Sequence, residues 1–227
     1  MAGLIAALDT VDAARASTLA SQVAPYCGLL KLGLEYYLAN GAEGVRSFGA
    51  TPIFLDLKLH DIPNTVAGAV RAVLGLQPRM LTVHAAGGAA MVAAARRAAE
   101  QAGPDRPLLL AVTVLTSLDA AALAAVGVAD TPHEQVLRLA RLAMDAGADG
   151  LVCSALEVPA LRALLDRTAV LVVPGIRPAS FPSGDQARTM TPRAAAAAGA
   201  DWLVVGRPIT AAADPAAAAA AIAAELA

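Results

Sequence analysis

The chain has 227 residues, 57% hydrophobic and 16% charged, with 17 Lys and Arg against 19 Asp and Glu and a formal net charge of −2. That is enough chain for one sizeable core, and the absence of a basic block excludes a general binder of nucleic acid, so any anionic ligand has to be met by a local site. The mean hydropathy of +0.59 comes largely from alanine runs such as 194–198 and 216–221 and from no long apolar span, so no membrane segment is predicted. The start, Met1-Ala2-Gly3-Leu4-Ile5, lacks the basic region of a secretory signal, and Cys27 and Cys153 lack CxxC spacing, which together predict a reduced, cytoplasmic setting.

Short apolar runs alternate with longer segments of helical spacing. The first strand is predicted at 4–9 and ends on Asp9; the second, at 29–33, carries Lys31 between Leu30 and Leu32, which face the other way. The third, at 53–58, lies in a run where the odd positions are apolar and the even ones are Phe54, Asp56, Lys58 and His60. Strict two-residue alternation puts Asp56 and Lys58 on one face, with Asp61 following in the loop. The fourth, at 80–84, ends on His84 and leads to a helix at 89–101. The fifth, at 108–114, brings Thr113 with Thr116 and Ser117 just beyond, and a helix follows at 131–146. The sixth lies at 150–154, the seventh at 170–174, running into Gly175-Ile176-Arg177, and the eighth at 202–206, running into Arg207. Eight strands, each followed by a helix-length segment, predict an α/β fold, a (β/α)8 TIM barrel forming a single domain over 1–227. An open doubly wound sheet is the alternative, weakened by the strand count and by the lack of GxGxxG after the first strand. Gly147-Ala148-Asp149 and Gly199-Ala200-Asp201 read as helix-end turns before strands six and eight, and hint at a half-barrel repeat.

In such a barrel the C-terminal strand ends form the active face, and here the charged residues gather there. The bland readings are a structural Asp56–Lys58 ion pair, an Asp9 that caps the next helix, a satisfied core His84, an exposed His133 and a small core Cys153. His60, His84 and His133 show no HxH or HExxH spacing, so no metal site is predicted. The second cluster, Pro174-Gly175-Ile176-Arg177 and Gly206-Arg207, sits after strands seven and eight, where glycine-freed N–H groups and guanidinium forks suit a phosphate.

These residues together resemble the orotidine 5′-phosphate decarboxylase family, in its shorter bacterial form, over nearly the whole chain. The resemblance is carried by Ala7-Leu8-Asp9, Leu30-Lys31-Leu32-Gly33, Asp56-Leu57-Lys58-Leu59-His60-Asp61-Ile62-Pro63-Asn64-Thr65, Thr82-Val83-His84-Ala85, Leu115-Thr116-Ser117, Gly175-Ile176-Arg177-Pro178, Gly184-Asp185-Gln186 and Gly206-Arg207-Pro208. It implies decarboxylation of orotidine 5′-phosphate to UMP without a cofactor or metal. It also implies a homodimer with shared active sites, in which Lys31, Asp56 and Lys58 come from one subunit and Asp61, Ile62 and Thr65 reach in from the partner. Asp9 and Lys31 would hold the ribose hydroxyls, and Thr116 or Ser117 the pyrimidine. Pro174 would line the site, and Arg177, Gln186, Gly206 and Arg207 would take the 5′-phosphate, with 177–186 closing over it as a lid. Lys58 would stabilise and protonate the ring carbanion, held charged by Asp56 and Asp61. Two rivals stand beside this reading: a magnesium-dependent decarboxylase or aldolase of keto-sugar phosphates on the same barrel, and a non-catalytic nucleotide-binding barrel. The HDIPNT continuation and the Thr116-Ser117 pair favour the pyrimidine reading over the first, and the intact set Lys31, Asp56, Lys58 and Asp61 over the second.

Overall fold

The computed structural model describes residues 2–165, 167–178 and 190–226. Its strands are β1 (Gly3–Ala7), β2 (Leu29–Gly33), β3 (Ile53–Leu59), β4 (Met80–His84), β5 (Leu108–Val112), β6 (Gly150–Val152), β7 (Val170–Val173) and β8 (Trp202–Val205). All pair in parallel with their sequence neighbours, and β8 pairs β1, so the sheet closes into an eight-stranded barrel. The helices are α1 (Ala13–Val23), α2 (Leu34–Arg46), α3 (Pro63–Leu74), α4 (Ala89–Ala99), α5 (Ala120–Ala125), α6 (Pro132–Asp145), α7 (Val158–Leu164), α8 (Pro192–Ala198), α9 (Arg207–Thr210) and α10 (Pro215–Ala224). None of them is long and apolar enough to cross a membrane. The predicted (β/α)8 barrel is the observed fold. Strands two and four keep the predicted limits, while β1, β5, β6, β7 and β8 stop one or two residues short of theirs. The strands part at the mouth, and Asp9, Thr113, Ser154, Pro174 and Gly206 stand beyond the ladder.

Each strand buries both faces, as parallel strands under a helical shell must. Ile5, Leu29, Phe54, Met80, Leu110 and Val172 fill the barrel interior. Leu4, Leu30, Leu55, Leu81, Leu109 and Leu171 pack outward beneath the helices. At the start of β8 the Trp202 ring lies over Gly3 and Gly28, and a Cβ at either would come within 2.3 or 2.6 Å of it. The alanine runs do form outer helices, α8 and α10. Each is started by a side chain accepting from a backbone N–H, Thr191 from Ala194 and Asp214 from Ala217, with proline just inside. α6 opens with a capping box between Thr131 and Glu134, and His133 in its first turn is exposed as read.

The two Gly-Ala-Asp turns carry more than a helix stop. Gly147 and Gly199 are left-handed, with φ of 94° and 108°. Asp149 takes the Leu109 N–H of β5 at 2.8 Å, Arg106 as a fork at 2.7 and 2.8 Å, and Arg96 of α4 at 2.7 Å. Asp201 repeats this with the Leu171 N–H of β7 at 2.7 Å and with Arg162 of α7. Arg96 and Arg162 also bond the carbonyls of Gly147 and Gly199 respectively. The two clamps lie two βα units apart, so the internal echo has the period of a quarter barrel rather than of the expected half.

Candidate active site

Where the strands of the barrel end, a cavity of about 480 Å³ opens. Its floor is the top of the interior packing, Ala7, Phe54, Val112, Val152 and Val204. Over that apolar floor stands a row of alternating charges. Lys31 on β2 reaches Asp9 at 2.9 Å and Asp56 at 3.5 Å, and Lys58 reaches the same Asp56 oxygen at 2.8 Å. The Lys31 and Asp56 side chains are each only 10% exposed, and the Asp9 carboxylate at the outer end is 49% exposed. Burial alone would push the Asp56 carboxyl up, but Lys31 and Lys58 together hold it below its ordinary value. Burial would pull the Lys31 ammonium down, but Asp56 and Asp9 hold it above. The two buried members, Lys31 and Asp56, thus each hold the other in its charged form. A helix-capping role for Asp9 does not hold, because Asp12 is the residue that caps α1, accepting from Ala14 and Arg15.

The predicted alternation fails at one point. Lys58 has φ of +49°, a left-handed conformation that L-residues rarely adopt and that costs of order 1–3 kcal/mol. Around it the register slips: Leu55 pairs Leu81 and Leu59 pairs Val83, so β3 spends four residues where β4 spends two. This bulge turns the Lys58 ammonium back onto Asp56. Gly33 allows the neighbouring contact, since a Cβ there would sit 2.9 Å from the Asp9 carboxylate and 3.1 Å from the Lys31 ammonium. Sequence reading missed Gly33, and also Glu35, exposed on the first turn of α2 at the cavity edge.

On the far side of the cavity are Pro174, Gly175, Arg177, Gly206 and Arg207. Gly175 has φ of 75°. Arg177 is buried, and its burial followed by the like charge of Arg207 lowers its pKa from the usual guanidinium value. Thr116 lines the cavity while Ser117, exposed, does not. Thr113 is buried with its hydroxyl given to the Val152 carbonyl at 3.1 Å. Cys153 is buried as expected and also lines the cavity; burial pushes the Cys27 thiol up to about 11. Half-buried His84 stacks on His60 with ring centroids 5.3 Å apart, and burial, then His60 and Lys58, lower its pKa. No cluster of three or more metal-ligating side chains occurs among the described residues.

Asp61, Ile62 and Thr65 lie outside this cavity, at the start of α3, and all three are exposed. Asp61 accepts the Ile62 N–H at 2.6 Å, and Ile62 is 65% exposed. Gln186 and most of the segment expected to form the lid, 179–186 of 177–186, lie outside the described residues.

A family model described as "Orotidine 5′-phosphate decarboxylase / HUMPS family" matches residues 3–222. Among curated proteins, the orotidine 5′-phosphate decarboxylase of Gluconobacter oxydans is 56% identical over 99% of this chain and 97% of its own. That of Thermobifida fusca is 57% identical over 99% and 96%. Among solved structures, orotidine 5′-phosphate decarboxylase from Lactobacillus acidophilus superposes with a TM-score of 0.87 at 38% identity, covering 100% of this chain and 99% of that one.

Proposed function

The chain belongs to the orotidine 5′-phosphate decarboxylase / HUMPS family and decarboxylates orotidine 5′-phosphate to UMP, and we propose that Lys58 is the group that stabilises and protonates the reacting carbon. The single observation that carries this assignment is the alternating row Asp9–Lys31–Asp56–Lys58, buried at Lys31 and Asp56, above an apolar floor. The family description names a second group beside the decarboxylases. The identities of 56% and 57% to orotidine 5′-phosphate decarboxylases over nearly full length favour the pyrimidine substrate over the keto-sugar phosphate rival.

Loss of CO2 breaks the bond from C6 to the carboxylate and leaves its electron pair on C6, in the plane of the ring, where delocalisation helps little. Fixed positive charge is the remedy that this site offers. The Lys58 ammonium, held by Asp56, stabilises the developing carbanion and then transfers a proton to C6, giving UMP; water returns the proton to Lys58. Asp56 also faces the leaving carboxylate, and the repulsion eases as CO2 departs, a smaller contribution. Asp9 and Lys31 hold the ribose hydroxyls, and Thr116, rather than Ser117, meets the pyrimidine, because only Thr116 lines the cavity. Arg177 and Arg207, two like charges at the ends of β7 and β8, take the 5′-phosphate with Gly206. Binding of that remote dianion supplies free energy that can be expressed at C6 as rate. No metal and no organic cofactor takes part in this scheme.

We further propose a homodimer in which Asp61, Ile62 and Thr65 complete the partner's site. In one chain they lie outside the cavity, and Ile62, Leu34 and Leu38 are 65%, 47% and 78% exposed. The whole chain acts as one barrel domain, and the two cysteines without CxxC spacing fit a cytoplasmic enzyme. A continuous ultraviolet assay with orotidine 5′-phosphate tests the reading. Loss of substrate absorbance that is indifferent to EDTA is the expected result; turnover only with added magnesium would overturn the metal-free scheme, and no turnover would overturn the function.

A further inference from the structure

Thr82 sits in the middle of β4 and was given no role by its sequence context beyond the motif that contains it. It is fully buried, at 0% exposure, on the inner face of its strand, and it does not line the cavity. It is also the one residue of β4 that stands opposite the bulge: between the pairs Leu55–Leu81 and Leu59–Val83, β3 inserts Asp56, Leu57 and Lys58, and β4 has Thr82 alone.

Two hydrogen bonds meet on its hydroxyl. The Lys58 backbone N–H donates to Thr82 Oγ1 at 2.8 Å, and Thr82 Oγ1 lies 2.9 Å from Asp56 Oδ1. Their polarity follows from chemistry. An amide N–H can only donate, so the threonine oxygen accepts there; an ionised carboxylate can only accept, so the one hydroxyl proton goes to Asp56. The other Asp56 oxygen receives the Lys58 ammonium at 2.8 Å and lies 3.5 Å from that of Lys31. The circuit closes on itself: Lys58 N–H to Thr82, Thr82 to Asp56, and Asp56 back to the Lys58 ammonium.

From this geometry we infer that Thr82 is a positioning residue for the decarboxylation, acting through Lys58 and Asp56 without touching substrate. The inference rests on the assignment of Lys58 as the proton donor. The bulge takes the Lys58 N–H out of the regular ladder, and a buried N–H without a partner is costly, so an unaided strand would tend to relax its register. The Thr82 hydroxyl replaces the missing carbonyl and holds Lys58 at its positive φ. The same hydroxyl orients the Asp56 carboxylate so that the free edge faces both lysines. A hydrophobic residue of the same shape supplies neither bond. Thr113 offers the internal contrast: it is also buried, one strand away, but its hydroxyl goes to the Val152 backbone carbonyl of β6.

The test compares Thr82→Val, which keeps the branched shape and removes the hydroxyl, with Thr82→Ser, which keeps the hydroxyl. For Thr82→Val, kcat should fall on the order of 100-fold, the scale of a misplaced reacting group, with KM for orotidine 5′-phosphate nearly unchanged. The acid limb of the kcat–pH profile should move toward neutrality, because Asp56 loses a bond that favours its ionised form. Thr82→Ser should recover most of kcat and the original acid limb. Thr113→Val should lower the melting temperature and leave kcat as it was. A folded Thr82→Val enzyme with wild-type kcat and pH profile would overturn the proposal, as would a folded Thr82→Ser enzyme that has lost turnover. Should the valine variant not fold, Thr82→Ala takes its place in the same comparison. Lys58→Ala is assayed alongside to separate the two claims. An active Lys58→Ala enzyme removes the assignment beneath the proposal, whereas an inactive one beside an unimpaired Thr82→Val removes the role of Thr82 alone.

Discussion

At Lys58 a left-handed backbone and an ion pair coincide, and neither is comfortable alone. The strained φ brings the ammonium back along its own strand onto Asp56, and the ion pair in turn favours that conformation. Strain of this kind persists only where the surroundings over-determine it, and here the surroundings are specific: Lys31, Thr82 and the absence of a side chain at Gly33. The charges of β2 and β3 could be read from the sequence, because Lys31, Asp56 and Lys58 break apolar runs at the ends of strands. Gly33 and Thr82 could not, because one acts by having no side chain and the other by a hydroxyl whose two partners lie 24 and 26 residues away. The arginines also allow a test at this scale. Arg207→Ala should weaken UMP by about 10- to 100-fold, the loss of a charged hydrogen-bonding group, and leave uridine little changed. Titration calorimetry with both ligands checks it, and equal losses would remove Arg207 from the phosphate site.

Among the elements, the eight strands were legible because short apolar runs recur at the spacing of βα units, and two of them match residue for residue. The bulge was not legible. Its period-two pattern continues unbroken through Leu57 and Leu59, and only the pairing with β4 reveals the slip. Nor could the inner faces be told from the outer ones. Both are apolar in a barrel strand, so Val112, Val152 and Val204, with no charged neighbour two residues on as Phe54 has, could not be singled out as the cavity floor. The Gly-Ala-Asp turns were read from glycine alone, while the aspartates proved to tie β5 and β7 to the helices before them. Asp149→Ala should lower unfolding free energy by about 2 kcal/mol, since it orphans the Leu109 N–H and takes from Arg96 and Arg106 the carboxylate they share. Burial raises the Asp149 pKa, but Arg106, the Leu109 N–H and Arg96 outweigh it and hold the carboxyl below its ordinary value. Its contribution is thus present above the unfolded-state carboxylate pKa and fades as pH falls through the lower folded-state value. Urea unfolding of both proteins should show their gap narrowing below about pH 4.

For the molecule as a whole, the division of labour runs along the barrel axis. The aspartate clamps lie at the strand starts, and the strained lysine and the charged row lie at the strand ends. The site is not completed by one chain in the scheme proposed above, because Asp61, Ile62 and Thr65 stand away from the cavity that they are assigned to serve. Mixing inactive Asp61→Ala with inactive Lys58→Ala subunits should therefore restore measurable turnover, since each mixed dimer contains one intact site. No recovery after confirmed subunit exchange would count against shared sites. Exposed Ile62, Leu34 and Leu38 gave no sequence signal of their own, since a solitary apolar residue on a helix looks the same whether it meets solvent or a partner.

The Trp202 ring against Gly3 and Gly28 makes the barrel a cul-de-sac. Below the cavity floor the interior is filled by Ile5, Leu29, Met80, Leu110 and Val172, so among the described residues the packing offers a small molecule no back door. In the scheme proposed above, carbon dioxide set free beside Asp56 leaves by the doorway through which the nucleotide came in. Gas and nucleotide share one exit, and the gas forms on the inner side. The order of departure then depends on how tightly the phosphate end of UMP blocks that doorway, and the arginines proposed to hold that phosphate would also set how long the lost carboxyl group lingers.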